Sequence, residues 1–341
     1  MSQGAVSAGV KVALAVESDR NAAATYAQNH RETCLYAGDI RGFTDRKIKA
    51  IRHGTKATVV FGGPPCQGFS YSNSRTRTAG NPENWLFTEF LRVVRAWQPD
   101  IVVFENVQGI VNTANGTFLR HVLRGLEELK YNAIHGVLNA ADFGVAQNRA
   151  RLFLLASRHR CHTLHLPEPQ ILNPPTVAEA IGDLPPLANG AHENRLPYKC
   201  EATSSYARRL RGGMRECANH LVTKSSPVVI QRYRAVPQGG NWTDIPALMM
   251  KNYVDRSRCH TGIYHRLHSE QPSVVIGNYR KNMLIHPVQH RGLSVREAAR
   301  IQSFPDCYEF SGSVGFQQQQ VGNAVPPLLA RAVFRHVCNL S

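Results

Sequence analysis

A cysteine on a stiff turn is the residue of this chain best suited to covalent chemistry. The stretch VVFGGPPCQGFS (59–70) places Cys66 directly after two prolines, where an apolar run has just ended. Gly62 and Gly63 permit backbone angles that other residues avoid, and the prolines stiffen the approach. A thiol held there is exposed and positioned, as a nucleophile must be. A lone cysteine after a strand is more often inert, so this prediction depends on the Gly-Gly-Pro-Pro context.

A carboxylate and two guanidinium groups stand in similar surroundings. Glu105 ends a second apolar run, VVFEN (102–106), where partial desolvation would raise its pKa and make it a proton donor. Arg149 and Arg151 alternate in AQNRARLF (146–153), which puts both side chains on one side of a strand. There they could stabilise a thiolate or hold a carbonyl oxygen. Ion pairing at strand ends, or helix capping by Glu105, is the structural alternative.

Alternating strand-like and helix-like stretches predict the frame that positions these groups. Four short apolar runs are predicted strands, and they span 10–17, 57–61, 100–106 and 151–157. Apolar residues at helical spacing occur at 84–97 and 117–131. This alternation favours the α/β class with a doubly wound, mostly parallel sheet. Ligands bind such a sheet at the carboxyl ends of its strands, where Cys66 and Glu105 are expected.

The texture of the chain changes near Pro167, where prolines accumulate and helical periodicity fades. We therefore predict a main domain over 1–185 and a smaller, loop-rich domain over 186–304. A C-terminal segment, 305–341, is expected to return to the main domain. It contains a predicted helix at 325–337, with prolines at its start, where a missing N–H costs little.

The net charge of +16 points to a polyanionic partner, with nucleic acid as the first candidate. A basic protein without such a partner is the alternative. The basic residues concentrate in the second half, and those singled out are Arg208, Arg209, Arg211, Arg215 and Lys224. Arginines can read guanine edges, but most of these side chains are expected to meet phosphates.

The eight cysteines form no CxxC pair, which is typical of free thiols in a reducing compartment. The cluster HRCHTLH (159–165) fits no common zinc spacing, so we predict no metal site. No apolar run approaches the roughly 20 residues of a membrane span, and no secretion signal is visible. These features favour a cytoplasmic protein without a membrane partner.

Five fragments, taken together and in order, identify a family resemblance. They are GGPPCQGFS (62–70), FENV (104–107), QNRARLF (147–153), RGLSVREAARIQSFPD (291–306) and QVGNAVPP (320–327). In this order and spacing they closely resemble the carbon-5 cytosine-specific DNA methyltransferases, most of all the bacterial restriction–modification enzymes. The resemblance runs from about Gly4 to the C-terminus. It implies a Rossmann-like, S-adenosylmethionine-dependent catalytic domain over 1–185 and a target-recognition domain over 186–304.

The resemblance also implies roles for the candidate residues. Cys66 would add to the ring carbon next to carbon 5 of a cytosine flipped out of duplex DNA, forming a covalent adduct. Glu105 would protonate or hydrogen-bond ring nitrogen 3. Arg151, with Arg149 behind it, would hold the base carbonyl and the thiolate. Arg291, Arg296 and Arg300 are expected to serve packing and phosphate contacts.

The implied cofactor is S-adenosyl-L-methionine. Glu17 ends a predicted strand, the usual position of a carboxylate that binds ribose hydroxyls. Asp39 matches the acidic residue that the family places near the adenine. The remaining cofactor-binding residues implied by the resemblance are Pro64, Leu86, Asn323 and Ala324.

One motif of the family is not found in the sequence. The family opens with a strand and a Gly-rich turn, F-x-G-x-G-G, and the stretch 3–9 matches the helix that follows that turn. The sheet is therefore expected to lack its first, central strand. A misplaced start codon, a split enzyme completed by another subunit and a truncated remnant are the three explanations.

Two other functions remain open at this level. One is a DNA-binding protein that has lost catalysis, and the other is an RNA cytosine methyltransferase on the same scaffold. A cognate restriction endonuclease is a further expected partner, and a nucleoid-associated location in a bacterial cytoplasm is the expected localisation. The recognised DNA sequence cannot be read from the chain, because recognition loops follow no readable code.

Overall fold

The computed structural model describes residues 1–51, 57–64, 86–111, 116–159, 163–251, 262–277, 279 and 283–340. Cys66 and the polar stretch after it lie outside the described residues, as do 160–162 of the His/Cys cluster. Within the described ranges, no helix has the length and apolar character of a membrane span. In the same ranges, His, Cys, Asp and Glu side chains form no group of three that could hold a metal ion.

Among the residues that the structure describes, six strands of the first half form two sheets. Strands β1 (Leu14–Glu17) and β2 (Cys34–Ala37) pair in parallel and are connected by helix α2 (Arg20–Asn29). The other sheet has the order β3-β4-β6-β5, with β3 (Val59–Gly62), β4 (Ile101–Val107), β5 (Asn132–Asn139) and β6 (Ala150–Ser157). As far as the structure describes the chain, no ladder joins β1 to β3.

The strand directions follow from the connections. β3 and β4 are parallel and are joined through α4 (Phe87–Trp97), whereas β6 is antiparallel to both β4 and β5. β5 reaches β6 through residues 140–149 alone, too short a path for the crossover that parallel neighbours need. The α/β class is as predicted, and the departure from parallel pairing lies at β6.

Strand β4 is the centre of the core, and its two faces bury different helices. Val102 and Phe104 pack with residues of α4 and α5 (Thr117–Glu128). Ile101 and Val103 point the other way and pack with residues of the last helix, α11 (Pro327–Cys338). Glu105 points to the same side of β4 as Ile101 and Val103, because side chains alternate along a strand. It therefore belongs to the face that α11 covers.

The first and last helices pack closely against each other. Helix α1 (Ser2–Ser7) lies on α11, and a β-carbon at Gly4 would collide with Ala330 and with the α11 backbone. Phe334 of α11 meets the ring of Phe61 edge-on, with ring centroids 4.9 Å apart. The C-terminal helix is thus part of the core around the four-stranded sheet.

The second half has its own buried core. Helices α6 (Val177–Ile181), α7 (Ser205–Arg211) and α9 (Val295–Ile301) contribute to it, and the short strands β7 (Arg195–Pro197) and β8 (Glu216–Ala218) pair beside them. This core includes side chains on both sides of the predicted 186–304 boundaries. A smaller cluster lies around helix α8 (Pro227–Ala235), and it contains Tyr233, Val236, Ile245, Met250 and Tyr264.

The arginines of the fourth family fragment are buried. Arg291, Arg296 and Arg300 are each at most 2% exposed. Arg300 binds the carboxylates of Asp183 and Asp306, and Arg296 donates to backbone carbonyls. The expected packing role is confirmed, but the expected phosphate contacts are wrong, because these guanidinium groups are enclosed and already paired.

Candidate active site at the strand edge

Strands β4 and β6 bring two of the predicted catalytic groups, Glu105 and Arg151, together. Arg151 of β6 lies opposite Val107 of β4, so Glu105 is its diagonal neighbour on the same face of the sheet. The Nε of Arg151 is 3.2 Å from Oε1 of Glu105, and both side chains are only 12% exposed. Alternation along the two strands therefore creates a nearly enclosed carboxylate–guanidinium pair.

Burial dominates the electrostatics of Glu105. Removal from water raises the pKa of Glu105 above its ordinary value, while the charges of Arg151, Arg149 and the Met1 ammonium oppose this shift. A carboxyl group with a raised pKa holds its proton at a higher pH than usual. Glu105 is thus suited to protonate a weakly basic nitrogen.

The turn that leads to Cys66 is fixed against β4. The side-chain amide of Asn106 donates to the carbonyl oxygen of Pro64 at 3.2 Å. A β-carbon on Gly63 would lie 2.5 Å from Oε2 of Glu105, so only glycine leaves room for the carboxylate there. Asn106 was not singled out in the sequence, although it stands in the FENV fragment.

Arg149 occupies a different position from its neighbour Arg151. It is 1% exposed, and its guanidinium donates to the carbonyl oxygens of Ile276, Gly322 and Ala324 at 2.7 to 3.0 Å. Burial, with help from the charge of Arg151, lowers the pKa of Arg149 well below its ordinary value. Arg149 therefore ties the start of β6 to the backbone of two distant segments.

A second tie lies beside Arg149. Gln147 is fully buried, and its Oε1 accepts a hydrogen bond from the backbone N–H of Ile276 at 3.0 Å. Nearby, the backbone N–H of Asn148 donates to the carbonyl oxygen of Ser273, and the N–H of Ser273 donates to that of Ala146. The segment 273–276 is thus fastened to the QNRAR fragment. Sequence spacing gives no sign of it, because about 130 residues separate the partners.

Two of the implied cofactor residues lie at the ends of neighbouring parallel strands. Glu17 is the last residue of β1, and one of its oxygens accepts from the Asp19 N–H at 2.9 Å. The other oxygen has no hydrogen-bond partner among the described residues, so it could accept from ribose hydroxyls. Asp39 is exposed two residues after β2, and hydrogen bonds from Arg41 lower its pKa to about 2.

The other implied cofactor residues are spread over three elements. Pro64 lies in the fixed turn after β3, and Leu86 caps the start of α4. Asn323 is the last residue of helix α10 (Val314–Asn323), and Ala324 follows it. Through the Ala324 carbonyl, this part of the predicted pocket is joined to Arg149. Glu17 and Asp39 are thus carboxylates at the ends of neighbouring strands, where they could accept hydrogen bonds from ribose hydroxyls.

Comparison with known proteins defines the class. The family model for C-5 cytosine-specific DNA methylase matches residues 1–339. Type II methyltransferase M1.HphI of Haemophilus parahaemolyticus is 37% identical over 98% of this chain and 82% of its own length. M.DdeI of Desulfomicrobium norvegicum is 30% identical over 98% of this chain and 85% of its own.

Solved structures agree in fold. A protein encoded within an E. coli prophage superposes with a TM-score of 0.81 at 23% identity, covering 99% of this chain and 95% of that one. Dnmt2 methyltransferase of S. pombe gives a TM-score of 0.54 at 17% identity, covering 100% and 94%. The fold is that of Rossmann-like methyltransferases, as predicted. The chain belongs to the C-5 cytosine-specific DNA methylase family, which confirms the resemblance drawn from the five fragments.

Proposed function

We propose that this protein transfers a methyl group from S-adenosylmethionine to carbon 5 of a cytosine in a specific duplex DNA sequence. One observation carries the proposal beyond the family. Glu105 is a buried carboxyl with a raised pKa, held beside Arg151 and against the turn that leads to Cys66. An acid, a cation and a nucleophile at one edge are what cytosine activation requires.

The reaction begins with the ring, since carbon 5 of cytosine is a poor nucleophile. The Cys66 thiolate adds to the adjacent ring carbon while Glu105 gives its proton to ring nitrogen 3. The electron pair displaced from the ring double bond makes carbon 5 nucleophilic. Bound S-adenosylmethionine supplies the methyl group to that carbon. Loss of the carbon-5 proton to solvent then expels the Cys66 thiolate, and ring nitrogen 3 returns its proton to Glu105, which restores both the ring and the acid.

We assign to Arg151 the role of holding the carbonyl oxygen of the cytosine base. Its Nε is occupied by Glu105, and one of its terminal nitrogens donates to the carbonyl of Ala150. Arg149 is assigned a positioning role, because its terminal nitrogens all bind backbone carbonyls. It would act through Ala324 and the start of β6 rather than by touching the base.

The enclosure of Glu105 argues for base flipping. Its side chain is 12% exposed, so a cytosine stacked inside a duplex has no path to it. Enzymes that act on such an atom turn the nucleotide out of the helix. We therefore assign to this protein an extruded cytosine as the reacting species.

The open edges of β1 and β3 support a completing strand. In the described residues, β1 pairs only with β2, and β3 pairs only with β4. Unpaired strand edges are templates for a further strand. We propose that the active form has a strand and a Gly-rich turn in this position, from a longer chain or a complementing subunit. The alternative, a DNA-binding protein without catalysis, is favoured by the same gap if nothing fills it.

The biological role is proposed from the relatives. M1.HphI, M.DdeI and M.Sau96I are all type II methyltransferases, which supports a restriction–modification role with a cognate endonuclease. Because the proposed substrate is chromosomal DNA, the protein would work beside the nucleoid of a bacterial cell. RNA as the acceptor has no observation in its favour.

Trapping of the cysteine tests the proposal. The chain is incubated with the methyl donor and duplex DNA that contains 5-fluorocytosine, alone and together with a polypeptide segment that supplies the strand and Gly-rich turn of the family. We expect a covalent adduct at Cys66 and none in Cys66→Ser, with DNA binding retained in both. DNA binding without any adduct in the completed chain would establish the non-catalytic alternative.

A further inference from the structure

A cavity in the second half has polar donors that the catalytic scheme does not use. It has a volume of about 220 Å³ and lies between the start of α8, the segment 283–293 and helix α10. A water molecule takes about 30 Å³ of liquid, so this space admits a group larger than water. Its polar lining is Thr223, Lys224, Ser225, Ser226, Tyr233, Tyr279 and Gln318.

Tyr279 is the unusual member of this lining. Tyr279 is 3% exposed, yet its hydroxyl has no hydrogen-bond partner among the residues that the structure describes. A buried hydroxyl without a partner is destabilising, so it marks a place where a ligand atom is expected. Burial raises the pKa of Tyr279 well above its ordinary value, with a further contribution from the charge of Glu297. The hydroxyl is therefore a permanent donor.

The other donors favour an anion. Lys224 is an exposed cation at the rim, with no ion-pair partner in the described parts of the chain. Ser226 caps α8 without a side-chain bond to the helix, and Pro227 occupies the first helical position. The free N–H groups of the first turn carry partial positive charge. Among the described residues that line the cavity, none is acidic.

We propose that this cavity, the Lys224 cavity, binds a backbone phosphate of the DNA substrate. The inference rests on the proposed function for the identity of the polyanion, and it adds the place where the recognition region grips it. Helix N-termini, lysine and hydroxyl groups are the common protein partners of DNA phosphates. The phosphate would accept from Tyr279, Ser226 and the α8 backbone, with Lys224 closing the rim.

Salt-dependent DNA binding by the full chain tests this site. Each neutralised phosphate contributes about 0.9 to the slope of log affinity against log salt. Lys224→Ala should weaken binding several-fold on every sequence and reduce that slope by about 0.9. Lys49→Ala removes the same charge from helix α3 (Asp45–Lys49), outside the recognition region, and should change neither quantity. Equal changes in both variants would show that the loss of affinity depends on net charge alone, and this result would overturn the proposal.

Tyr279→Phe separates ligand binding from folding. Loss of an unpartnered hydroxyl should leave the melting temperature of the free protein equal or higher, while DNA affinity falls several-fold. Unchanged affinity would overturn the proposal.

The addition of inorganic phosphate at constant ionic strength is a further test of the same cavity. If it stabilises the wild type and neither variant affects DNA binding, the cavity takes free phosphate and the DNA assignment is wrong. Cys66 trapping is read separately, so its failure bears on the proposed reaction alone.

Discussion

Glu105 beside Arg151 and Glu297 beside Arg291 are both buried glutamate–arginine pairs, but their carboxyl groups respond in opposite ways. The pKa of Glu105 is raised, whereas the pKa of Glu297 is lowered far below its ordinary value. Exposure does not explain the difference, because Glu297 is 1% exposed and Glu105 is 9% exposed. The more deeply buried carboxylate is the one that stays charged.

The way each arginine charge is held explains the contrast. Glu297 accepts two bonds from Arg291, at 2.8 and 2.6 Å, and one from the Ser294 N–H at 2.8 Å. Within the described ranges, the contact of Glu105 with Arg151 is one lateral approach at 3.2 Å. Burial raises the pKa of both carboxyl groups, but at Glu297 the charge of Arg291, helped by its hydrogen bonds, outweighs burial, whereas at Glu105 burial outweighs the charges of Arg151 and Arg149. The well-satisfied pair holds the capping box of α9, while the poorly satisfied pair keeps a proton available for chemistry.

The largest effect is expected from a substitution that breaks the pair of Glu105 and Arg151. Glu105→Gln should lower the rate of methyl transfer by about 10²–10⁴-fold, the usual contribution of a positioned acid. Its stability should not fall, because a neutral amide is easier to bury than a carboxylate. Initial rates of methyl transfer measure the first effect, and thermal melting measures the second. Both are recorded on the form of the protein that transfers methyl groups. The exposed Glu128→Gln is the matched control, and wild-type rates in Glu105→Gln would remove Glu105 from the mechanism.

The second largest effect is expected from a substitution that breaks the pair of Glu297 and Arg291. Glu297→Gln should lower the free energy of unfolding by about 3–5 kcal/mol, because it leaves the Arg291 charge buried without its partner. Urea denaturation measures the loss. A double variant, Arg291→Met with Glu297→Leu, should recover part of it. A single variant as stable as the wild type would show that Glu297 does not stabilise the fold.

The smallest expected effect is a dependence of stability on pH, and it comes from His286 beside Glu297. His286 lies 3.6 Å from Glu297, and burial lowers its pKa to about 4. Its Nδ1 accepts from the N–H groups of Val288 and Gln289, which a protonated ring cannot do. The unfolded chain binds this proton near pH 6.5, so stability is full above that pH and falls as pH drops toward 4.

The size of this pH effect follows from the shift. At about 1.4 kcal/mol per pKa unit, the contribution of His286 amounts to about 3 kcal/mol over that interval. Unfolding free energies measured at pH 7 and pH 5 should differ more in the wild type than in His286→Gln. The same loss in both proteins would assign the acid sensitivity to other groups.

Parts of the fold and site were predictable from local sequence. The runs that became β3, β4 and β6 are rich in β-branched and aliphatic residues, and α4 and α5 carry apolar residues at helical spacing. Glu105 and Arg151 were each predicted beside a recognisable strand, but the ion pair between them was not predicted. The antiparallel direction of β6 and the ties from Gln147 and Arg149 to Ile276 were not predictable, since they join distant segments.

The sequence by itself determined the family, the α/β class and the residue types at the strand edge, because those depend on short motifs and local periodicity. Only the tertiary structure decided what each arginine does. Arg149 binds three backbone carbonyls, Arg151 pairs with Glu105, and Arg300 is enclosed between two carboxylates. A guanidinium looks the same in every motif, and its role depends on which acceptors the packed chain brings within hydrogen-bonding distance.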